Sequence, residues 1–510
     1  MNKDIAIIRY FLLLITASFI AGCDVDFGAE VNDPETEIEE QTSNNIGSAT
    51  DTNLWIGEYM EEMYLWNEEF IAIKSTLDYS ADSQAFFAAA LNAMENIDED
   101  GKYYNGERYY YSSLTLLSDS SSKASSTVSD YGISMMYYTY GESSNNYYFL
   151  VACVKEDSPA ALAGIERGTL ITSYNGSNIN DSNMTEGFNT LMGYSTNSTT
   201  LSLGLAEYQI SGKNYSVATL GEVEITPTSY QSNPIIHTQT YQSPNKEKTI
   251  AYMVYSEFDM DADEKLIDAF AQFKAEGADE LILDLRYNGG GDVYSSAVIA
   301  SSIVDSSRSG ELFCEMEYNQ TRTAAGEVDY FYIGQYPTVA NYKPIVIASA
   351  SSLGLYQVYI LVSSYTASAS ELIINGLQGL GIDVWLVGST TEGKNVGMEV
   401  VESSYDVYSK YDFDNCEYQL APITFYSLNA VGNKDYSSGF GPDYPSSESA
   451  LLTAWGDDSG NDPLLAAALS HIYYNSWNGI TSKADSGENK PQIIANSDLK
   501  PRPKNMILNR

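Results

Sequence analysis

Ser368 lies in the run Thr366-Ala367-Ser368-Ala369-Ser370-Glu371, and Lys394 follows it 26 residues later in Glu392-Gly393-Lys394. A hydroxyl and an amine brought side by side can serve as nucleophile and base, the Ser-Lys form of nucleophilic catalysis. The elements around them must do the positioning. Val358-Tyr359-Ile360-Leu361-Val362 is a short β-branched and aliphatic run that predicts a buried strand. From Ser370 to Leu380 apolar residues recur at Leu372, Ile373, Leu377 and Leu380, which is a helical period. Ser368 therefore falls at a helix N-terminus, where free N–H groups and the helix dipole favour a developing negative charge. A second strand, Val384-Trp385-Leu386-Val387, leads to the glycine-bracketed loop that holds Lys394. The same residues have a plainer reading. Ser, Ala and Thr before a helix are common caps, and a lysine in a glycine loop is ordinarily solvated. This stretch alone leaves both readings open.

A second motif lies upstream. Glu280 to Arg286 reads as a buried strand, and Asn288-Gly289-Gly290-Gly291 follows its C-terminal end. Ligand sites in open α/β sheets form outside the carboxyl ends of strands. Glycines without a Cβ let backbone N–H groups approach an oxyanion closely, although a tight strand-to-helix turn would use them equally well.

The run Thr366–Glu371, the later Gly393-Lys394 and Asp284-Leu285-Arg286-Tyr287-Asn288-Gly289-Gly290-Gly291, in that order, resemble the C-terminal processing, or tail-specific, serine peptidases of family S41. The resemblance covers residues 52 to 475. It implies that Ser368 is the nucleophile and Lys394 the general base, with the N–H groups of Ala369 and of Gly290 or Gly291 forming the oxyanion hole. It also implies a multi-domain α/β protein: a crotonase- or ClpP-like α/β protease core, a preceding or inserted PDZ-like β domain, and an N-terminal helical segment. No cofactor or metal is implied.

The chemistry makes a physical demand on Lys394. A free lysine titrates near ~10.4, so a base working at pH 7 needs that value lowered by roughly three, or about 4 kcal/mol. Burial against apolar walls supplies such a change, so Lys394 is expected to be buried beside Ser368. The chain has only two histidines. His237 sits in an extended run and His471 near the end of a C-terminal helix, neither in a motif, which leaves Lys394 as the better base. Three departures from the family pattern stand out. Met398 occupies the place of a glutamine that often orients the lysine, Gly289 replaces a proline in the glycine loop, and the turn Gly379–Asp383 holds an extra residue. The third catalytic residue is thereby unidentified.

Residues 1–23 read as a secretory signal: Lys3 and Arg9, the apolar run Tyr10 to Ile15, then Ile20-Ala21-Gly22-Cys23. The ending resembles a lipoprotein box, which makes Cys23 the expected lipidation site and the bacterial cell envelope the expected location, the outer membrane foremost. Residues 24–51 are acidic and lack apolar periodicity, as befits a tether. Residues 52–117 read as a helical cap without chemistry, with Asp82 as the N-cap of a helix running through Met94. Small polar residues at 118–127 mark a linker. Residues 128–207 resemble a PDZ domain, with Tyr131-Gly132-Ile133 as its carboxylate-binding loop for a peptide added as a strand. An alternating α/β pattern then fills 228–475, and 476–510 is expected to be a disordered tail.

The formal charge of −43 opposes nucleic-acid binding because phosphates would be repelled. After Cys23 the remaining cysteines, Cys153, Cys314 and Cys416, allow at most one disulfide and have no metal-ligand spacing. The 42 tyrosines are scattered and read as packing residues rather than sugar platforms. The expected function is a lipid-anchored serine endopeptidase acting on polypeptides. The alternatives are a non-catalytic peptide-binding lipoprotein on a protease-derived fold and a crotonase-type acyl-thioester enzyme. The last would need basic residues for a cofactor's phosphates, which this acidic chain offers sparingly.

Overall fold

The computed structural model describes residues 49–104, 106–116, 127–141, 146–193, 199–211, 214–335, 351–403, 418–477, 480, 491–494 and 507. The signal segment with Cys23, the tether up to residue 48, the linker 118–126, Cys416 and most of the tail lie outside them.

The N-terminal region opens with α1 (Ala49–Met63), α2 (Asn67–Ile73) and α3 (Ser83–Ala93). The Asp82 carboxylate caps α3 by accepting from the N–H groups of Gln84 and Ala85, both at 3.1 Å. The region is not helical throughout. Strands β1 (Gly101–Tyr104) and β2 (Glu107–Tyr110) form an antiparallel hairpin, followed by β3 (Ser113–Leu116). Tyrosine-rich runs on either side of Asn105-Gly106 are hairpin sequence, which outweighs continued helix here.

A β module follows: β4 (Thr127–Asp130), β5 (Ile133–Tyr140), β6 (Tyr147–Val154), α4 (Pro159–Leu162), β7 (Leu170–Tyr174), β8 (Ser177–Asn178), α5 (Met184–Leu191), β9 (Leu201–Ser211), β10 (Asn214–Ile225) and β11 (Thr228–Gln231). The sheet continues past residue 207 because β9 and β10 pair as a long hairpin. The module has its own core around Phe149, Phe188, Val151 and Leu203.

The third part is an α/β core, as expected. It comprises β12 (Ile235–Gln242), β13 (Thr249–Tyr255), α6 (Asp263–Ala275), β14 (Glu280–Asp284), α7 (Val293–Ile303), β15 (Leu312–Tyr318), α8 (Gln320–Ala324), β16 (Asp329–Tyr332), β17 (Gln357–Val362), α9 (Ala369–Gly379), β18 (Asp383–Gly388), β19 (Val396–Met398), β20 (Val401–Glu402), β21 (Tyr418–Ala421), β22 (Ile423–Asn429), β23 (Tyr444–Pro445) and α10 (Pro463–Tyr474), while β24 (Ile493–Ile494) joins the sheet of the β module beside β5. Its main sheet runs β12-β13-β14-β17-β18-β23, with parallel pairing from β13 onward. Alternation along β17 sends Val358, Ile360 and Val362 to the face covered by α6, α7 and α9, and Tyr359 and Leu361 to the face covered by α10. A second sheet, β16-β15-β22-β19, lies beside the first. Ser368 falls between β17 and α9 and Lys394 between β18 and β19, so two adjacent parallel strands deliver both residues to the carboxyl edge of the sheet.

Candidate active site

Ser368 precedes α9 with φ 63° and ψ −117°. The other described non-glycine residues at positive φ are Asn96, Asp157, Asn175, Lys246 and Asn475, mostly types that tolerate this region. A serine there must be held by its surroundings, and such strain concentrates at functional sites. Its N–H donates to Glu371 Oε2 at 2.9 Å. One residue before it, the Ala367 N–H donates to the Asn288 carbonyl at 3.3 Å, and two residues after it the Ser370 hydroxyl reaches the same carbonyl at 3.0 Å. Ser368 is fully buried, and its Oγ has no hydrogen-bond partner among the described residues.

Glu371 draws the two halves of the site together. The same Oε2 that receives the Ser368 N–H receives the Lys394 N–H at 2.8 Å, while Oε1 accepts from Thr391 Oγ1 at 2.5 Å and the Gly393 N–H at 2.6 Å. Burial pushes this carboxyl up to about 7 against the pull of those hydrogen bonds. Glu371 is absent from the catalytic residues expected from sequence. Its signal was the spacing of a capping box, a serine followed three residues later by glutamate, which here also ties in the lysine loop.

Lys394 is wholly buried, as its proposed chemistry demands. Burial lowers its pKa to about 7, opposed by attraction to Asp100, Glu392 and Glu371. Its Nζ lies 4.6 Å from the centre of the Tyr111 ring. Asp100 is also fully buried and accepts from Tyr64 Oη at 2.7 Å, Ser112 Oγ at 2.7 Å and the Ser112 N–H at 2.8 Å. Tyr111 Oη donates to Glu392 Oε1 at 3.3 Å, Tyr104 Oη donates to the same oxygen, and the Lys102 ammonium donates to the Glu392 carbonyl. The lysine is thus roofed by the N-terminal region, which the sequence reading treated as a cap without chemistry. Asp100 and Tyr111 carry no motif, and nothing local in the sequence ties them to a lysine so far along the chain. Met398 is buried in the core shared with that region.

The glycine loop meets Ser368 directly. A Cβ on Gly290 (φ 106°) would lie 2.7 Å from Ser368 Cβ and 3.0 Å from the Ala369 nitrogen, so glycine is required for this approach. The Gly290 N–H itself donates to Asn288 Oδ1 at 2.9 Å. Ala369 is the first residue of α9, so its N–H has no intrahelical acceptor.

Arg286, next to this loop, pairs with Asp284 at 2.8 Å, Asp462 at 2.9 Å and Glu448 at 3.0 Å. Glu448 also receives Arg167 of the β module at 2.7 Å, and both arginines hold its carboxyl down to about 2 against burial.

Gly290 packs on Ser368 and Ala369, and Glu371 ties the Ser368 and Lys394 backbones together, with Gly291 next in the glycine loop against Phe258, whereas Tyr131, Gly132 and Ile133 form a separate loop at the start of β5. There the Gly132 N–H donates to Asp130 Oδ1 at 2.7 Å and the Tyr131 hydroxyl to the Thr199 carbonyl at 2.6 Å. The histidines stand elsewhere. His237 contacts Gln239, and His471 stacks on Trp477 with ring centres 3.9 Å apart, on the sheet face opposite α9. Cys153 and Cys314 are buried free thiols.

Residues 249–415 match the family model for peptidase family S41. A carboxyl-terminal-processing protease of Picosynechococcus sp. is 26% identical over 268 residues, which is 50% of this chain and 56% of that protein. The chloroplastic carboxyl-terminal-processing peptidase 1 of Arabidopsis thaliana is 26% identical over 247 residues, 48% of this chain and 44% of its own. The chain thus spans about half the length of these curated relatives. A crystal structure from Bacteroides fragilis NCTC 9343, assigned to the S41 proteases, superposes with a TM-score of 0.63 at 24% identity, over 82% of this chain and 96% of that one, and shares the fold. The matched stretch, residues 249–415, carries the glycine loop, Ser368 and Lys394, and in it the chain is similar to peptidase family S41.

Proposed function

We propose that the protein is a serine endopeptidase in which Ser368 is the nucleophile and Lys394 its general base. The observation that carries this reading is the fully buried Lys394, brought down to about 7 and tied with Ser368 to one oxygen of Glu371. A neutral amine at physiological pH takes the Ser368 proton as Oγ attacks the scissile carbonyl. Negative charge gathers on the carbonyl oxygen, where the N–H groups of Ala369 and Gly291 are the candidate donors, while Gly290 supplies the close approach. The lysine then returns the proton to the leaving amine. Water, deprotonated by the same lysine, releases the acyl group from Ser368. Glu371 is a positioning residue that fixes both backbones.

The β module is read as a PDZ-like domain that engages polypeptide by strand addition. Asp130 already accepts the Gly132 N–H and pairs with Lys155 at 3.6 Å, so a peptide end would have to compete with it for the loop. Cys23 is the proposed lipid anchor to a bacterial envelope membrane.

The test is hydrolysis of an unfolded protein such as casein by the wild type, Ser368→Ala and Lys394→Ala. Each substitution is expected to lower kcat by at least roughly 10³-fold. Equal cleavage by wild type and Ser368→Ala would refute the assignment. Absence of cleavage by any form, with polypeptide binding retained, would favour the non-catalytic binding protein. The wild-type rate is expected to rise with pH through about 7, as Lys394 loses its proton.

A further inference from the structure

The β1–β2 hairpin reaches the lysine loop with two side chains from one face. Lys102 and Tyr104 lie two residues apart on β1 and project to the same side, while Tyr103 between them is turned to solvent. Both arrive at Glu392. Tyr104 Oη donates to its Oε1, and the Lys102 ammonium donates to its carbonyl oxygen. A second donor of the same ammonium reaches the Ser437 carbonyl at 2.9 Å.

Those two carbonyls belong to segments in close contact. A Cβ on Gly393 (φ 86°) would lie 2.4 Å from the Ser437 oxygen and 2.5 Å from the Gly439 nitrogen. Beside it the Thr391 N–H donates to the Phe440 carbonyl at 3.1 Å, and the Phe440 N–H donates to Thr391 Oγ1 at 2.8 Å. The peptide unit between Glu392 and Gly393 is held at both ends of its dipole. Its C=O meets the Lys102 ammonium, and its N–H donates to Glu371 Oε1 at 2.6 Å. Hydrogen bonds to ionised partners are stronger than neutral ones, and here opposite charges pull on opposite ends of one peptide. The next N–H along the chain is that of Lys394, on the other oxygen of Glu371. The Glu392 N–H donates to the Thr366 carbonyl at 2.9 Å, so the same residue borders the turn that carries Ser368.

We propose that Lys102 is a positioning residue: its ammonium, acting against the Glu371 carboxylate, fixes the Glu392–Gly393 peptide and with it the approach of Lys394 to Ser368. The hairpin thereby supplies a working part of the site without touching the reacting atoms. The charges that act on Lys394 are those of Asp100, Glu392 and Glu371, so loss of Lys102 should displace the amine without retuning it. The proposal rests on the peptidase reading for its kinetic readout, and an exchange readout stands apart from it.

Lys102→Met keeps the aliphatic stem and removes the ammonium, whereas Lys102→Arg keeps a cation with donors for both carbonyls. Lys102 is half-buried and outside the shared core, so both variants should fold. In casein hydrolysis Lys102→Met is expected to lower kcat by roughly 10- to 100-fold, the scale of a misplaced catalytic group. KM should be unchanged and the midpoint of the rate profile should stay at about 7. Lys102→Arg should recover most of the loss. An unchanged kcat, a change confined to KM, a shifted midpoint, or an arginine variant no better than the methionine one would each overturn the proposal. Amide hydrogen exchange in the Ser368→Ala background reads the clamp without hydrolysis. Residues 391–396 should exchange about tenfold faster when Lys102→Met is added, with the melting temperature nearly unchanged. Equal exchange there would overturn the clamp even in a protein that cleaves nothing. Faster exchange spread over the whole N-terminal region would make Lys102 a fastener of the hairpin and overturn it as well.

Discussion

The N-terminal region and the β module both sit against the α/β core, yet they are joined to it by different physics. The N-terminal region has no core of its own. Trp55, Met60, Phe70, Phe86 and Leu91 share one buried cluster with Val396, Met398, Leu420 and Ile423, and β3 pairs with β21 as a sheet strand. The module closes its own core and meets the rest through small apolar patches and a polar hub. In that hub Arg167 pairs with Glu448, donates to Tyr287 Oη at 2.9 Å, and lies 3.8 Å over the Trp455 ring. The first arrangement makes the roof over Lys394 inseparable from the fold. The second leaves a domain that can loosen without unfolding.

The largest expected effect tests the shared core. Phe70→Ala should cost roughly 3–5 kcal/mol, since Phe70 is fully buried. Cap and core should melt together at a lower temperature in calorimetry, with hydrolysis falling in step. A separate low-temperature transition that left the site working would mean the cap is a domain after all.

Breaking the hub should act differently. Glu448→Gln leaves Arg167 and Arg286 short of a buried counter-charge, at a cost of about 3 kcal/mol. The effect should appear as faster limited proteolysis between module and core, with the module's own folded signature retained. The pH dependence has the same origin. Glu448 titrates near 2 in the folded chain and near ~4.5 unfolded, so its stabilisation is complete above ~4.5 and lost as pH falls toward 2. Wild type and Glu448→Gln should therefore converge in stability near pH 2. A constant gap would remove Glu448 from the explanation.

Tyr111→Ala opens the roof without deleting it. Water reaching Lys394 restores part of its ordinary basicity, so the midpoint of the rate profile should move up by about one. At pH 7 that is a loss of up to roughly tenfold, recovered by pH 9. A loss that persists at high pH would indicate displaced geometry rather than an altered base.

The sequence exposed these regions unequally for the same reason. β17, α9 and β18 are continuous segments with a clear period, so Ser368 and Lys394 could be placed on the elements that carry them. The Asp284–Gly291 motif is likewise local. Asp100 and Tyr111 reach the lysine only because the shared cluster folds the N-terminal region onto β19, a contact with no local signature. The β1–β2 hairpin was missed because the amphipathic helices before it set the expectation for the whole region, although Asn105-Gly106 between tyrosine pairs was there to read.

Asp100→Asn should have the smallest effect and separates charge from shape within the roof. Asparagine keeps one oxygen for the Ser112 N–H and turns its NH2 to Tyr64 Oη and Ser112 Oγ, hydroxyls that can rotate to accept, so the shape is retained. The negative charge that raises Lys394 is removed, and the rate profile should shift to lower pH by a few tenths, opposite in sign to Tyr111→Ala. Burial raises the Asp100 carboxyl above its usual range, opposed by its hydrogen bonds to Ser112 and Tyr64 and by Lys394. Stability supplies a second readout. Lys394 titrates near 7 folded and near ~10.4 unfolded, so the unfolded chain binds the extra proton between those values and stability rises with pH across that window. Asp100→Asn should widen the window at its lower end, deepening the penalty at neutral pH. A profile that moves upward instead would mean that Asp100 acts by orienting Tyr64 and Ser112 against the lysine rather than through its charge.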